Sequence, residues 1–410
     1  MRENPPTMID VEPAWKLLFE NVRALPTVRV PLREAAYATL AAPVVCDIDY
    51  PPFDRSVMDG YAVRAADVQA VPATLRVVGQ IGAGTQADRA LETGEAMQIN
   101  TGAPIPEGAD AVVRLEDTEL GDIGSVLAVK TSASPGQFIT SRGAYGRAGA
   151  TALAAGALLT PVNIGAAATA GAAEVTIYRR PRVGLLSTGD ELVDIGQRPT
   201  GAQIRNSNQY MLEALVRAAH VEAVWLGTAR DERDELRAKI EEGVACDVLC
   251  ITGGVSVGAF DFVPDLLREA GARVVIEKMK IKPGRPVIVA VMPSGTLVFG
   301  LPGNPMSAWV GFELLVRPAL AALQGRVGEK PALVTMRLGG KLAATRDRRS
   351  YFPARADVDV RGLWSVVPLD WHGSGDSLGA ANANALIMRP PNSRKAKVGD
   401  LVQVHLTERV

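Results

Sequence analysis

Cysteine, histidine and net charge are all in short supply. Three cysteines, Cys46, Cys246 and Cys250, occur in 410 residues; a sparse, odd-numbered set argues against a disulfide scaffold and for a reducing compartment, the cytoplasm. The histidines, His220, His372 and His405, do not fall with the cysteines in a zinc spacing, so the thiols are expected to be buried as small apolar groups. With three scattered histidines a Ser/His dyad has little support, and the absence of a Gly-x-x-x-x-Gly-Lys-Ser/Thr loop disfavours an ordinary P-loop kinase. Against 45 Asp and Glu stand 44 Lys and Arg. No global field therefore favours nucleic acid or an anionic membrane, and any anion has to be caught locally.

The N-terminal "MRENPPTMIDVEPAWKLL" carries charges and prolines and lacks an apolar stretch leading to a cleavage site, so no export is implied. Between Ala148 and Ala173 no charged residue occurs, but the stretch is Ala, Gly and Thr with Pro161 and Asn163 inside it, too weakly apolar to span a membrane.

At about 150 residues per domain the length suggests roughly three domains. Val11, Trp15, Leu18 and Val22 fall on one face of a helix, and "VPLREAAYATLAAP" suggests a second helix starting near Pro31. From Val44 to about Gln137 short β-type runs such as "TLRVVGQI" and "AVVRLEDTEL" take over. After "TPVNIGAAATAGA", which is helical in composition, apolar strands at 183–187, 221–226, 247–252, 273–276, 287–291 and 297–299 alternate with amphipathic helices such as "NQYMLEALVRAA". This alternation predicts a parallel, doubly wound sheet with its loops gathered at the carboxyl ends of the strands. Beyond Pro331 the pattern is β-like to the end.

Three loops that follow strands are dense in Gly and polar groups: "STGDEL", "TGGVSVGAFD" and "GLPGNPMSAW". On one rim their backbone N–H groups can converge on an anion. Gly253 and Gly254 permit close approach of backbone to ligand, and Asn304 to Ser307 lead into a helix whose N-terminus favours negative charge. A glycine pair after a strand is equally a structural turn. Asp190, Glu191 and Asp261 would repel a phosphate unless a cation intervened, which points to magnesium; the alternative for Asp190 is a helix cap. In "EKMKIKPGRP" strand alternation would place Lys278, Lys280 and Lys282 on one face, as an anion site or as a protective charged edge. "PPFDRSVMDGYAV" is a tight turn in which Asp59 either serves the turn or faces a ligand. "RDRRSYFPAR" and "WHGSGDSLGAANA" offer Arg348, Arg349 and Ser374 for an oxyanion pocket.

Six ordered motifs, "SVMDGYAV", "INTGAPIPEGADAVVRLEDT", "RPRVGLLSTGDEL", "TGGVSVGAFDF", "KIKPGRP" and "GLPGNPMSA", closely resemble the molybdopterin molybdenumtransferases, bacterial relatives of the gephyrin E domain. The likeness runs from about residue 10 into the last domain. It implies a multidomain α/β plus β architecture: a connecting domain (1–43 and 140–178), a β-rich insertion (44–139), a doubly wound α/β molybdopterin-binding domain (179–328) and a C-terminal β-barrel (329–410).

The family's activity takes adenylylated molybdopterin and molybdate, cleaves the pyrophosphate bond with magnesium, inserts molybdenum at the dithiolene and releases AMP. Carried onto this sequence, the resemblance implies catalytic roles for Asp59, Glu191, Asp261, Lys278 and Lys282, with Glu191 and Asp261 as Mg2+ ligands. Substrate contacts are implied for Thr101, Ser187, Asp231, Gly253, Gly254, Ser256, Pro302, Asn304 and Ser307. Molybdate falls to Lys282, Arg285, Pro286, Arg349 and Ser374, with Arg348 as the alternative to Arg349. A cytoplasmic homodimer is expected, with Asp59 and Thr101 completing the other subunit's site. Molybdopterin adenylyltransferase and molybdoenzyme chaperones are the expected partners, and no nucleic acid or membrane. Arg147 stands where the family usually carries acidic residues, and Arg285 where many members have lysine, a change that keeps charge but not donor geometry. Two rival readings are an adenylyltransferase, disfavoured by the "MDGYA" insertion and the terminal β domain, and a scaffold like the gephyrin E domain, disfavoured by the intact set of charged rim residues.

Overall fold

The computed structural model describes residues 8–121, 125–254, 262–360 and 362–407. By internal contacts the chain divides into two units: residues 1–28 with 178–410, and residues 29–177.

The smaller unit is built on a six-stranded mixed sheet. Its strands, in spatial order, are Ala111–Arg114, Gly60–Val63, Glu95–Ile99, Ala73–Ile81, Val126–Val129 and Thr118–Leu120. Period-2 alternation divides the apolar residues between two cores: Tyr61, Val63, Ala111 and Val113 enter one, Ala62 and Val112 the other. At Gly60 a Cβ would meet the Val113 carbonyl oxygen at 2.0 Å, so "DGYAV" needs its glycine for close strand approach.

The helix expected near Pro31 does not form. The strand Thr27–Pro31 gives way to one 3-10 turn, Leu32–Glu34. The backbone N–H groups of Leu32, Tyr37 and Leu40 then donate to the carbonyls of Ala173, Leu159 and Ala157, so non-local pairing takes the donors a helix would have used. The "PVNIGAAAT" segment does form a helix, Pro161–Thr169, capped by the Thr160 hydroxyl.

In the larger unit an α/β sheet has the strand order Glu222–Ala229, Arg182–Thr188, Val248–Thr252, Leu297–Leu301, Pro286–Val291, Arg273–Lys278. All six lie where the apolar runs predicted, but the sheet is not wholly parallel. Pro286–Val291 pairs antiparallel with both its neighbours, because only a tight turn over 292–296 joins it to Leu297–Leu301, too short for a crossover. The strands that carry the three Gly-rich loops are parallel neighbours.

A helical run, Pro305–Leu323, follows the last of them; it is long and apolar enough to cross a membrane, and 89% of it is buried inside the protein, which makes it a core helix. Its middle is a π-helical turn, Phe312–Val316, a device that accommodates Pro318 one turn later. The helix Val11–Asn21 packs in the same core: Val11, Trp15 and Leu18 are buried, and the Trp15 indole donates to the Leu314 carbonyl at 2.7 Å.

The C-terminal strands close into a five-stranded barrel, in the order Arg349–Val358, Trp364–Pro368, Leu333–Leu338, Leu401–Leu406, Ala385–Arg389 and back to the first. Met336, Leu338, Ala354, Ala356, Val402 and Val404 fill it. A short strand, Ile281–Lys282, joins its outside by pairing with Arg349 and Ser350. The polypeptide thus passes from the edge of the α/β sheet to the barrel across Met279 and Lys280 alone, and returns at Pro286.

Candidate active site

The rim of the α/β sheet is held together by its own polar residues. Gly253 (φ 92°) donates its N–H to the Leu301 carbonyl, and a Cβ there would meet the Thr188 carbonyl oxygen at 2.3 Å. Gly254 (φ 61°) is similarly confined by Val263 and Thr188 side chains. The glycine pair is therefore required for the packing of adjacent loops. Ser187 is buried: its hydroxyl donates to Asn206 Oδ1 and accepts from Thr252, while Asn206 donates to the Thr228 hydroxyl and caps the helix Ser207–Ala218 by accepting the Gln209 N–H. Asp231 accepts the Thr188 hydroxyl and donates its N–H to the Asp190 carboxylate at 3.3 Å. Glu191 is exposed. Ser256 and Asp261 lie outside the described residues, and among the described residues no group of three or more His, Cys, Asp or Glu comes together as a metal set. All three cysteines are buried free thiols, and burial pushes Cys246 and Cys250 up.

Beside the rim, where the barrel meets the α/β domain, lies a cleft of about 840 Å³. It gathers Lys282, Arg285, Pro286, Pro302, Asn304, Ser307 and Ser374 from among the residues expected at the site. Lys341, Arg348, Asp370, Trp371 and His372 also line it. Four permanent cations thus face one carboxylate, Asp370, so the cleft is a positive site in a chain of almost no net charge. Among the described residues no carboxylate lies within ion-pair distance of Lys282 or Arg285, and the nearest to Arg348, the exposed Asp347, stands 4.0 Å away.

Arg349 is not in the cleft wall. Its guanidinium forks onto Glu12 with bonds of 2.7 and 3.0 Å, and those bonds hold the Glu12 carboxyl below its ordinary range. Arg348, at the bend that precedes the strand Arg349–Val358, lines the cleft, while Arg349, the first residue of the strand, turns to Glu12. The same sorting corrects the lysine stripe. Lys278 is half-buried on the sheet edge, Lys280 pairs with Asp10 at 3.5 Å, and only Lys282 reaches the cleft, because the strand bends at 280 as it changes sheets.

At the helix end that faces the cleft, the backbone donors are already engaged. Pro305 has none, the Met306 N–H donates to the Ser374 carbonyl at 3.0 Å, and that of Ser307 returns to Asn304. Side chains rather than helix amides are left for a ligand. Sequence reasoning missed Lys341, whose "GGKLAA" carries no signal beyond its glycines. It also missed Asn208, which donates to the Gly303 carbonyl at 2.7 Å and steadies the third rim loop.

In the smaller unit Asp59 and Thr101 meet on the surface. Asp59 accepts both the Thr101 N–H (2.7 Å) and its hydroxyl (3.1 Å), so Asp59 fixes the 100–103 turn while remaining exposed.

Three family models match the chain in succession: the MoeA N-terminal region (domain I and II) over residues 9–171, a probable molybdopterin binding domain over 184–322, and the MoeA C-terminal region (domain IV) over 335–407. A molybdopterin molybdenumtransferase of Staphylococcus aureus (strain COL) is 33% identical over 99% of this chain and 97% of its own length. This chain belongs to the molybdopterin molybdenumtransferase family. A second relative of that name, from Nostoc sp., is 37% identical over 86% of this chain and 82% of its own. The crystal structure of a molybdopterin biosynthesis MoeA protein from Pyrococcus horikoshii superimposes with a TM-score of 0.80 at 31% identity, covering 98% of this chain and all of that one. The multidomain fold of a molybdenumtransferase, with its molybdopterin-binding domain and terminal barrel, is thus the fold of this protein, and its place is in molybdenum cofactor biosynthesis.

Proposed function

We propose that this molybdenumtransferase takes adenylylated molybdopterin and molybdate as substrates, cleaves the pyrophosphate bond with magnesium, inserts molybdenum and releases AMP. The observation that carries this reading is the cleft's excess of positive charge, four cations against the single lining carboxylate of Asp370. A tetrahedral dianion needs cations and polar donors that no internal carboxylate has already claimed. Lys282, Arg285 and Arg348 meet that need, with Ser374, Asn304 and Ser307 beside them.

The rim loops, with Gly253, Gly254, Ser256, Asp231 and Lys278, are assigned to the nucleotide end of the substrate. Ser187 supports them from below through its bonds to Asn206 and Thr252. Magnesium suits a hard, oxygen-only donor set, and the exposed carboxylate of Glu191 fits it, with Asp261 as the second ligand of the proposal. When bound, the ion neutralises charge on the phosphoanhydride. Lys282 and Lys278 stabilise negative charge on the departing groups.

Asp59 and Thr101 are assigned to the site of a second copy in a homodimer. Molybdopterin adenylyltransferase as supplier and molybdoenzyme chaperones as recipients complete the proposed set of partners. The three free thiols favour a reducing compartment, the cytoplasm.

The test is AMP release by purified protein given adenylylated molybdopterin and magnesium, with and without molybdate. Molybdate-dependent release, with molybdenum retained on the pterin, is the expected result. Release that ignores molybdate, or a requirement for ATP, overturns the proposal, and an ATP requirement would indicate an adenylyltransferase.

A further inference from the structure

Part of the cleft's barrel side is a loop between the strands Trp364–Pro368 and Ala385–Arg389. Trp371, His372, Gly373 and Ser374 form its cleft-facing part. A loop of this length has to be fastened if it is to present a hydroxyl at a fixed place, and one carboxylate ties two points of it on either side of Ser374 and Asp376 itself, at His372 and Gly379. Asp376 Oδ2 accepts the His372 N–H at 3.0 Å and lies 3.3 Å from His372 Nδ1, while Oδ1 accepts the Gly379 N–H at 2.8 Å. These bonds, with that of Gly379 foremost, hold Asp376 below its ordinary carboxylate range. Gly379 is fitted to the arrangement, since a Cβ there would meet Asp376 Oδ2 at 2.4 Å and the Asp370 carbonyl oxygen at 2.8 Å. The loop is pinned at a third point by its Ser374 carbonyl, which accepts the Met306 N–H of the long helix.

A carboxylate this close to an anion pocket would ordinarily weaken it. Here both oxygens are turned onto N–H donors of the loop itself, so the charge is spent on shape. We infer that Asp376 is a positioning residue for the oxyanion substrate: it holds residues 372–379 in the conformation that sets Ser374 against Lys282, Arg285 and Arg348. The inference rests on the reading of the cleft as the molybdate pocket. It adds to that reading a residue that does not line the cleft.

The test uses the full-length protein and its Asp376→Asn variant. Asn keeps the volume but replaces one acceptor oxygen by a donor, so one of the two fastenings must break. Amide hydrogen exchange at whichever of His372 and Gly379 loses its acceptor is expected to quicken about tenfold. The dissociation constant of molybdate, measured by calorimetry, is expected to rise about tenfold, while that of the nucleotide substrate stays within about twofold. Gly379→Ala attacks the same contact from the other side and is expected to give the same split. Unchanged exchange at both amides overturns the inference whatever molybdate does. Quickened exchange with unchanged molybdate affinity in both variants overturns it as well, and so does equal weakening of molybdate and nucleotide, which marks a merely structural role. If the wild-type protein itself binds no molybdate while the variant still opens one of the two amides, the failure lies in the oxyanion reading of the cleft and not in the fastening by Asp376.

Discussion

The barrel and the long helix Pro305–Leu323 meet in two places, and they handle charge in opposite ways. At the cleft, Lys282, Arg285 and Arg348 face a cavity with almost nothing of opposite sign. At the buried junction, every charge is matched. Glu313, with no solvent exposure, accepts a fork from Arg317 at 2.7 and 2.8 Å and lies 3.2 Å from His405 Nε2 on the barrel strand Leu401–Leu406. Burial alone would raise the Glu313 carboxyl, yet Arg317 and His405 together hold it below the ordinary range. Matched charges join the two domains, and unmatched charges mark where something else has to bind. Paired cations elsewhere, Arg349 on Glu12 and Lys280 on Asp10, follow the first pattern.

The strongest way to break this contrast is at the junction. Glu313→Ala strips the half-buried Arg317 and the buried His405 of their shared partner and is expected to cost about 2–3 kcal/mol of stability, measured by urea unfolding near neutral pH. The folded-state carboxyl of Glu313 titrates below its unfolded value of about 4.3. Its contribution is therefore full above that value and lost as pH falls through the folded-state value, so the wild-type advantage over the variant should shrink in acid. An advantage that grew in acid would show that Glu313 is held protonated.

Lys282→Ala tests the other side. We expect molybdate-dependent AMP release to drop about 100-fold while unfolding free energy changes by less than about 0.5 kcal/mol. A large loss of stability with little loss of activity would invert the assignment. The finest test separates adjacent residues. Arg348→Ala should raise the half-saturating molybdate concentration about fivefold with little effect on stability, whereas Arg349→Ala should leave molybdate unchanged and cost up to about 1 kcal/mol from its partly exposed pair with Glu12. Equal effects on molybdate would return Arg349 to the pocket.

Much of this was legible in the sequence, because strands buried on both faces read as continuous apolar runs closed by Gly or Pro. "DVLCITGG" and "GTLVFGLPG" place two of the loops at strand ends, though a glycine pair there reads as readily as a structural turn. What stayed illegible depends on register. Whether Arg348 or Arg349 faces the cleft turns on where the bend at 347–348 gives way to the strand, and the lysines at 278, 280 and 282 alternate on paper but are sorted by a bend between two sheets. The direction of Pro286–Val291 hung on loop length rather than composition, and the missing helix after Pro31 on donors claimed by residues more than 100 positions later. Asn206 and Thr252, which support Ser187, are ordinary polar residues until the fold stacks them.

The crossing of Met279 and Lys280 bears on how such a protein can be rebuilt. Lys282 lies in register with Ser350 of the barrel, while the chain, with Arg285 just before it, rejoins the α/β sheet at Pro286, four residues later. The spacing of the two cations is thus written jointly by both domains. A barrel grafted from a relative, or one trimmed away as an appendage, would take with it half of the template that sets Lys282. The barrel is not an interchangeable module here, and inheritance of the fold as a whole is the condition for inheriting the site.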